Sequence, residues 1–348
     1  MASDAARTST RDLTSSSLRA SAPKHLRSVR TKVSIVSETT HDSAVGVTPP
    51  PSPDDGLTSA ELAAKYGLSV SGARPSLPDY VRQLWARRHF ILAFSRAKLM
   101  AQYSQAKLGQ LWQVATPLLN AAVYFLIFGI IMGGREGIPG GQGRYIPYLV
   151  TGVFVFTFTQ TSVLNGVRAI SSNLGLVRAL HFPRASLPIS ISLQQLQQLL
   201  YSMIVLVIIL LGFRELPGLS WLTVIPVLAC QFVFNTGLAM IMARLGSKTP
   251  DLAQLMPFIT RTWLYASGVM FSLPYMLSKH HAPHWLVEVM QGNPAAVYMN
   301  LMRYAFIDEY TTSDMSPIAW PLAVAWAVVF GVGGFVFFWK AEERYGRG

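Results

Sequence analysis

The residues best suited to nucleotide chemistry in this sequence do not complete the required pattern. Gly246, Ser247, Lys248 and Thr249 resemble the end of a phosphate-binding P-loop. That loop needs one glycine directly before the lysine and another six positions before it, because bare backbone N–H groups must surround the phosphates. Ser247 and Met242 occupy those two positions here. The sequence therefore predicts that this chain does not bind ATP through a P-loop.

Two other kinds of reactive site are also incomplete. His280, His281 and His284 lie close together, but no neighbouring cysteine and no set of nearby acids completes a metal site. A membrane enzyme acting on lipid-linked glycans would need carboxylates near the membrane face, and the long apolar segments contain none. We expect no metal, no cofactor and no catalytic residue in this chain. A glycan-modifying membrane enzyme is the alternative from another functional class.

Polar and aromatic side chains inside the long apolar segments are more informative. A polar group there should face other helices or a pathway, because exposure to lipid costs free energy. Arg261 lies about 9 Å inside its segment at ~1.5 Å per residue, where it either extends to the lipid headgroups or binds an anionic phosphate. Aromatic rings suit the faces of sugars, although such rings more often pack between helices. The candidate pathway residues are Tyr124, Phe128, Phe154, Phe158, Gln160, Trp263 and Tyr265.

Composition indicates the environment in which these side chains act. Charged residues make up only 13% of the 348 residues, against roughly 25% in soluble domains. Six segments have the ~17–25 mostly apolar residues that cross a bilayer. They lie near 111–132, 146–166, 189–211, 221–243, 255–273 and 318–339. We therefore expect an all-α integral membrane protein with six transmembrane helices in a domain that spans residues 109–345.

Two segments precede the first span. Residues 1–75 are basic and rich in Ser, Thr and Pro, which predicts a disordered cytoplasmic tail. The tail is either a regulatory or lipid-binding arm or a dispensable solvated segment. Residues 76–108 mix apolar and basic side chains, which predicts an amphipathic helix on the membrane surface, with a solvent-facing helix as the alternative. Its Arg88, Arg96 and Lys98, together with Arg261, are candidates for the substrate entrance.

The distribution of Lys and Arg predicts the orientation. Most of the 29 basic residues lie in the N-terminal region, in the connections between spans 2 and 3 and spans 4 and 5, and after the last span. The positive-inside rule makes that side cytoplasmic, so both termini are expected there, in a multi-pass plasma-membrane protein.

Two apolar stretches at about 280–310 are too short to cross the bilayer. They predict two re-entrant helices on the outer side. Interfacial helices are the alternative.

Several motifs follow one another along the chain. Leu108, Gly109 and Trp112 form a Leu-Gly-x-x-Trp motif after the basic helix, and a Phe-Pro-Arg motif ends at Arg184. Further on lie Pro250-Asp251-Leu252, the stretch 265–271, and Asn293-Pro294 with Arg303. In this order, these motifs resemble the type-two ABC export permeases that move polysaccharides such as O-antigen and teichoic acid. The similarity is strongest to the actinobacterial branch that exports lipid-linked galactan.

The resemblance implies partners and roles that the residues alone do not. It implies a homodimer, with two separate ABC ATPase subunits that hold ATP and Mg²⁺, a lipid-linked polysaccharide as substrate, surrounding membrane lipids and no nucleic acid. The ATPase-coupling residues would be Arg178, His181, Phe182, Pro183 and Arg184, and the outer gate would be Asn293, Pro294 and Arg303. The expected function is export of a polyprenyl-diphosphate-linked cell-envelope polysaccharide, with galactan as its identity. A small-molecule or drug export permease of the same type is the alternative.

Overall fold

The structure is a computed structural model of the chain. It describes residues 57–58, 61–62, 65–66, 75–133, 136–180, 182–281 and 283–345. The predicted tail over residues 1–75 therefore lies almost entirely outside the described residues. The chain divides into two units, Met1–Gly67 and Leu68–Gly348. In the first unit, the backbone N–H and the hydroxyl of Thr58 each donate to the Glu61 carboxylate over 2.7 Å.

The second unit is built from α-helices, and its described residues contain no strand. These helices are α1 (Leu77–Ala86), α2 (Arg88–Ala101), α3 (Trp112–Tyr124), α4 (Tyr145–Val167), α5 (Leu174–Ala179), α6 (Ser186–Gly212), α7 (Val224–Lys248), α8 (Leu252–Ala266), α9 (Leu273–Lys279), α10 (His284–Gln291), α11 (Pro294–Phe306) and α12 (Ala319–Trp339). A π-helix, Phe125–Ile131, continues α3. The predicted all-α class is confirmed.

Five helical stretches among the described residues are long and apolar enough to cross a bilayer. They are Gly109–Ile131, Gln142–Val167, Ser186–Gly212, Leu219–Lys248 and Ala319–Trp339. Each contains α3, α4, α6, α7 or α12 and coincides with the predicted span 1, 2, 3, 4 or 6. The long apolar runs therefore located these five helices correctly.

The predicted fifth span, 255–273, is not one continuous helix. α8 has 15 residues, which at ~1.5 Å per residue is shorter than a hydrocarbon core of about 30 Å. The chain then turns at Gly268, whose φ of +67° favours glycine, and α9 begins at Leu273. The expectation of six continuous spans is therefore corrected to five long helices and one broken segment.

The predicted surface helix over residues 76–108 is two helices. The hydroxyl of Ser76 caps α1 by accepting from the Asp79 N–H. At Arg87 the backbone leaves helical geometry, with φ −91° and ψ 11°, and α2 begins at the next residue. Ile91, Ser95 and Leu99 form the buried side of α2, which packs against α6. The position of these helices on the membrane surface stays a prediction.

α4 is the central helix of the second unit. In its most apolar stretch 78% of the residues are buried, against 17% for the first span and 22% for the last. It packs against α6, α7, α8 and α11. Thr151, Thr159 and Ser162 are consequently buried inside the protein. This explains how the second span tolerates polar side chains that would be costly in lipid.

Helices α7 and α12 approach each other at glycine residues. A Cβ atom on Gly237 would lie 1.9 Å from the carbonyl oxygen of Phe330, and one on Gly334 would lie 2.3 Å from that of Gly237. Gly333, on the same helix as Gly334, would place its Cβ with no atom within 4 Å. Small residues permit such close backbone contact between membrane helices.

This contact predicts that alanine substitutions at Gly237 and Gly333 differ in their effect on the free energy of unfolding. We expect Gly237→Ala to lower the free energy of unfolding by about 2 kcal/mol, because the two backbones must separate. Gly333→Ala should leave it unchanged or raise it by up to about 1 kcal/mol, because alanine favours the helix more than glycine does. Thermal denaturation in detergent measures both, and equal stability of the two variants would contradict the contact.

Candidate functional site

The broken segment after α8 leaves carbonyl groups outside the helical hydrogen-bond ladder, and Arg303 of α11 donates to them. Its Nη2 lies 3.2 Å from the Gly268 oxygen and 3.0 Å from the Val269 oxygen. Its Nε lies 3.3 Å from the Tyr148 oxygen, and its Nη1 lies 3.1 Å from Oδ1 of Asn300. The side chain is only 1% exposed. Arg303 therefore replaces the missing N–H donors at the break.

The surroundings of the Arg303 charge are unusual for a buried arginine. The guanidinium carbon lies 3.4 Å from the centre of the Tyr148 ring. None of the ion pairs found among the described residues includes Arg303. Carbonyl dipoles and a ring face, rather than a carboxylate, thus stabilise the charge.

Asn293 joins the end of α8 to the start of α11. Its Oδ1 accepts from the Trp263 Nε1 at 2.8 Å and from the Ala295 N–H at 3.1 Å, which caps α11. Its Nδ2 donates to Oγ of Ser267 at 2.8 Å. Pro294 occupies the first position of α11, where its missing N–H is not needed. The predicted outer-gate residues therefore lie together with the break; gating itself stays a prediction.

The two apolar stretches predicted at about 280–310 form helices α10 and α11. With 8 and 13 residues, both are too short to cross a bilayer. α10 has no buried residue, whereas nearly all of α11 is buried. Their re-entry from the outer side stays a prediction.

α8 buries one narrow stripe, and most of its other residues are exposed. Met256, Thr260 and Leu264, four residues apart, form the buried stripe. Arg261 lies outside this stripe and is exposed. No ion pair found among the described residues includes Arg261. Arg261 is therefore an exposed guanidinium and the one charged side chain of α8.

Four predicted pathway or entrance residues share one surface of α3, its π-helical continuation and α8. The rings of Phe128 and Tyr265 lie 6.3 Å apart. The Tyr124 phenol interacts electrostatically with both Tyr265 and Arg261. We call Tyr124, Phe128, Arg261 and Tyr265 the α3–α8 surface. It combines aromatic rings with one positive charge.

The other predicted pathway residues contact neighbouring helices, and their role in lining a pathway stays a prediction. Phe154 and Phe158 are 1% and 2% exposed and border a cavity of about 10 Å³, room for a single water. Gln160 connects α4 to α8, since its Nε2 donates to Oγ1 of Thr260 at 3.3 Å. Trp263 is half-buried and bonded to the Asn293 side chain. These four side chains hold helices together in this structure.

On the side predicted to be cytoplasmic, Glu342 joins three parts of the chain. Its carboxylate accepts from the Tyr80 hydroxyl at 2.7 Å and from the Arg184 N–H at 2.9 Å. The Arg184 guanidinium donates to the Glu342 carbonyl, and the Ala185 N–H donates to the Tyr80 hydroxyl at 3.1 Å. We call Tyr80, Arg184, Ala185 and Glu342 the Glu342 junction. It connects α1, the loop before α6 and the segment after α12.

The remaining predicted coupling residues lie beside this junction or apart from it. The Phe182 ring is 5.5 Å from the Phe90 ring on α2, and Pro183 is buried. Arg178 is exposed in the last turn of α5. His181 lies outside the described residues. The loop before α6 thus contacts both surface helices, as a coupling element would require.

The Glu342 junction predicts a pH effect on stability. Burial raises the pKa of the Glu342 carboxyl above its ordinary value of 4.5, although bonds from Arg184 and Tyr80 oppose this. The folded state then binds more protons than the unfolded state as pH rises from 4.5 to the raised pKa, so stability falls across that interval.

Glu342→Gln should abolish this contribution. We expect the melting temperature of the wild type to fall, relative to that of the variant, as pH rises above about 4.5. Melting curves of both proteins across that interval measure the difference. Parallel pH dependences would contradict the assignment of the buried charge.

The four predicted entrance residues occupy different surroundings. The Arg88 guanidinium lies 5.5 Å from the Trp85 ring, and the Lys98 ammonium lies 5.4 Å from the Phe94 ring. Arg96 borders a groove of about 760 Å³ between α2, the start of α3 and α6. Arg261 belongs to the α3–α8 surface. Their shared role at a substrate entrance stays a prediction.

Sequence reasoning missed two acidic residues, Glu342 and Glu215. Glu215 is fully buried, pairs with Arg144 and accepts from the Asp308 N–H at 3.1 Å. Arg144 also pairs with Glu309 at 2.8 Å. One feature of the sequence could have predicted them: Glu215 and Glu342 each closely follow a long apolar helix. A charge in that position costs free energy unless it has a partner.

Comparison with known proteins identifies the family. A family model described as ABC-2 type transporter matches residues 89–307. The chain is 25% identical over 256 residues to the O-antigen export system permease protein RfbA of Klebsiella pneumoniae, which covers 73% of this chain and 93% of that protein. It is 27% identical over 265 residues to a protein of the same description from Myxococcus xanthus, covering 76% and 96%. The matched segment runs from α2 through α11, so the chain belongs to the ABC-2 type transporter family.

Proposed function

We propose that this chain is the permease subunit of an exporter for a polyprenyl-diphosphate-linked cell-envelope polysaccharide. The substrate, galactan, moves from the cytoplasm to the outer side of the plasma membrane. Similarity to O-antigen export permeases over most of both chains supports a polysaccharide as cargo. Two separate ABC ATPase subunits supply the energy and hold ATP and Mg²⁺.

The observation that carries this proposal is the α3–α8 surface. A guanidinium facing lipid near a helix centre costs about 2.5–3.5 kcal/mol on insertion scales, so Arg261 needs a polar or anionic partner. A diphosphate is such a partner, and the rings of Tyr124, Phe128 and Tyr265 suit sugar faces. A second copy facing the first across this surface would line a path on both sides. This arrangement supports a homodimer with the pathway between subunits.

The Glu342 junction supports the proposed coupling to the ATPases. A displacement of the loop at Phe182 and Arg184 would be transmitted to α2 through the Phe90 ring and to α1 through Tyr80. It would be transmitted to the end of α12 through Glu342. ATP-driven closure of the partner subunits thereby moves the surface helices and spans together. In this proposal both termini are cytoplasmic, and the broken segment α8–α11 supplies the sixth crossing.

Depletion of the chain in its host tests the function. Lipid-linked polysaccharide should accumulate on the inner leaflet, protected from glycosidases added outside the cell. Arg261→Glu should fail to restore export, because a carboxylate repels the diphosphate. Arg82→Glu, at an exposed position on α1, should restore it.

Other outcomes would contradict the proposal. A change only in tolerance to small toxic compounds would identify a small-molecule exporter. Turnover of lipid-linked glycan by the purified chain, without any ATPase, would identify a membrane enzyme.

A further inference from the structure

A pocket lies beyond the ends of the two helices that form the α3–α8 surface, on the side predicted to be outer. The described residues that line it are Met132, Gly133, Glu136, Phe271, Tyr275, Met276 and Lys279. Met132 directly follows the π-helical continuation of α3, and Phe271 follows α8. The volume of the pocket is about 160 Å³, below the ~300–1,000 Å³ of sites for drug-sized ligands. It therefore suits one small ring at the end of the proposed path.

One glycine fixes the position of the Tyr275 ring in this pocket. Gly137 has a φ of +68°, a backbone conformation that other residues rarely adopt. A Cβ atom on Gly137 would lie 1.9 Å from Cγ of Tyr275. The backbone at Gly137 therefore lies directly against the Tyr275 side chain and holds its ring in the pocket wall.

The polar groups of the pocket are bonded to one another and remain accessible. The Lys279 Nζ and the Tyr275 hydroxyl both donate to Oε2 of Glu136, at 3.0 and 3.1 Å. The Glu136 and Lys279 side chains are each 55% exposed. The bonds from Lys279 and Tyr275 hold the pKa of Glu136 below its ordinary value of 4.5, so at neutral pH its carboxylate only accepts. The second oxygen of Glu136 and the other N–H groups of Lys279 can still bond a ligand that both donates and accepts.

The charges and the rings together select a neutral ligand with an apolar face. An anion that pairs with Lys279 would also meet the Glu136 carboxylate, which repels it. A hydrocarbon chain would remove both charges from water without replacing their hydrogen bonds. A sugar ring has hydroxyls that donate and accept, and its apolar face packs against aromatic rings such as those of Phe271 and Tyr275.

We infer that this pocket binds one sugar unit of the exported glycan where the glycan leaves the path between subunits. The sugar face packs against the aromatic wall, and the sugar hydroxyls bond Glu136 and Lys279. This inference rests on the proposed function and adds an outer binding site beyond the α3–α8 surface. Contact with a ring face does not require one pattern of hydroxyls, so the pocket accepts several neutral sugars.

Binding to the full chain in phosphatidylcholine nanodiscs tests the site by saturation-transfer NMR. The probes are galactotriose and maltotriose, and sorbitol is the control that has hydroxyls but no ring. Both trisaccharides should bind at least about tenfold more tightly than sorbitol. Sorbitol binding as tight as that of the trisaccharides would contradict recognition of a ring face.

Two substitutions, each with a matched control, separate the ring contact from the polar contact. Tyr275→Leu should raise the Kd of both trisaccharides about three- to tenfold, because it removes the aromatic face. Trp285→Leu removes an exposed ring on α10 that does not line the pocket, and it should leave both Kd values unchanged. Glu136→Ala should raise both Kd values at least about tenfold. Glu288→Ala, at an exposed carboxylate outside the pocket, should leave them unchanged. Melting temperatures near that of the wild type verify the fold of each variant.

Photo-crosslinking in exporting cells tests whether the glycan reaches the pocket. A benzophenone amino acid in place of Met132 should capture glycan. The same amino acid in place of Ile225 should not, since Ile225 is similarly exposed near the start of α7 but does not line the pocket.

The outcomes distinguish this inference from the proposed function. The inference fails if neither trisaccharide binds the wild type, or if Tyr275→Leu binds both as tightly as Trp285→Leu does. It also fails if position 132 captures no glycan while export continues. Normal glycan export in cells depleted of the chain would instead overturn the proposed function, even if both trisaccharides bind.

Discussion

Arg303→Met is expected to destabilise the packing of α4, α8 and α11 substantially. The substitution leaves the carbonyl groups of Tyr148, Gly268 and Val269 without the donors that Arg303 now provides. The Val269 carbonyl then has no donor among the described residues, whereas the Tyr148 carbonyl lies within α4 and the Gly268 oxygen keeps the Tyr148 hydroxyl at 3.4 Å. At about 1–3 kcal/mol for an unpaired buried group and ~2 kcal/mol for the lost cation–π contact, the loss should be about 3 kcal/mol. The melting temperature in detergent should fall by roughly 6–12 °C.

Two further variants separate the hydrogen bonds from the mere loss of a charge. Gly152→Ala keeps Arg303 but would place a Cβ atom 2.5 Å from its Nη2, so it should destabilise in the same direction by a smaller amount. Arg82→Met removes an exposed arginine on α1 and should change the melting temperature little. If Arg303→Met is as stable as Arg82→Met, the hydrogen bonds of Arg303 do not stabilise the break.

Arg184→Glu should separate ATP hydrolysis from export. The substitution removes the guanidinium that donates to the Glu342 carbonyl and places a second carboxylate beside a buried one. Like charges at that distance repel, so the loop before α6 should detach from the end of α12. We expect glycan exported per ATP to fall by at least about tenfold, within the usual 1–3 kcal/mol of coupling between sites. Reconstituted vesicles containing the ATPase partners measure both rates.

The controls for this prediction lie in the same junction. Glu342→Gln keeps an oxygen that can accept from Tyr80 or the Arg184 N–H, so export per ATP should stay near the wild-type value. Glu342→Leu removes both acceptors and should behave like Arg184→Glu. Normal export by Arg184→Glu would show that the Glu342 junction does not couple ATP hydrolysis to export.

The five long spans were predictable because crossing a bilayer imposes a local requirement of length and apolarity. The break after α8 was not predictable in this way, because residues 255–273 stay apolar across Gly268. What stabilises the break is a distant arginine on α11. Its guanidinium reaches carbonyl groups 34 and 35 residues earlier in the sequence. Hydropathy contains no information about such a contact.

The candidate site was predictable only in part, for a related reason. Asn293 and Arg303 were identified as a pair, but the sequence did not indicate that both would contact the end of α8. Phe154 and Tyr265 are both aromatic residues in apolar segments, yet one is buried in the centre and the other is exposed. Their neighbours in space determine this difference. The partners of Glu342 were equally invisible, since Tyr80 and Arg184 are 262 and 158 residues away.

The position of Glu342 after α12 has a consequence for how the protein is made. The ribosome produces the chain from its N-terminus, so Tyr80 and Arg184 emerge long before their shared acceptor. The polar groups around Arg184 therefore stay hydrated until Ala319–Trp339 has been inserted into the bilayer. This connection forms only after α12 has been made. ATPase subunits that dock only on the closed form would avoid chains that still lack α12.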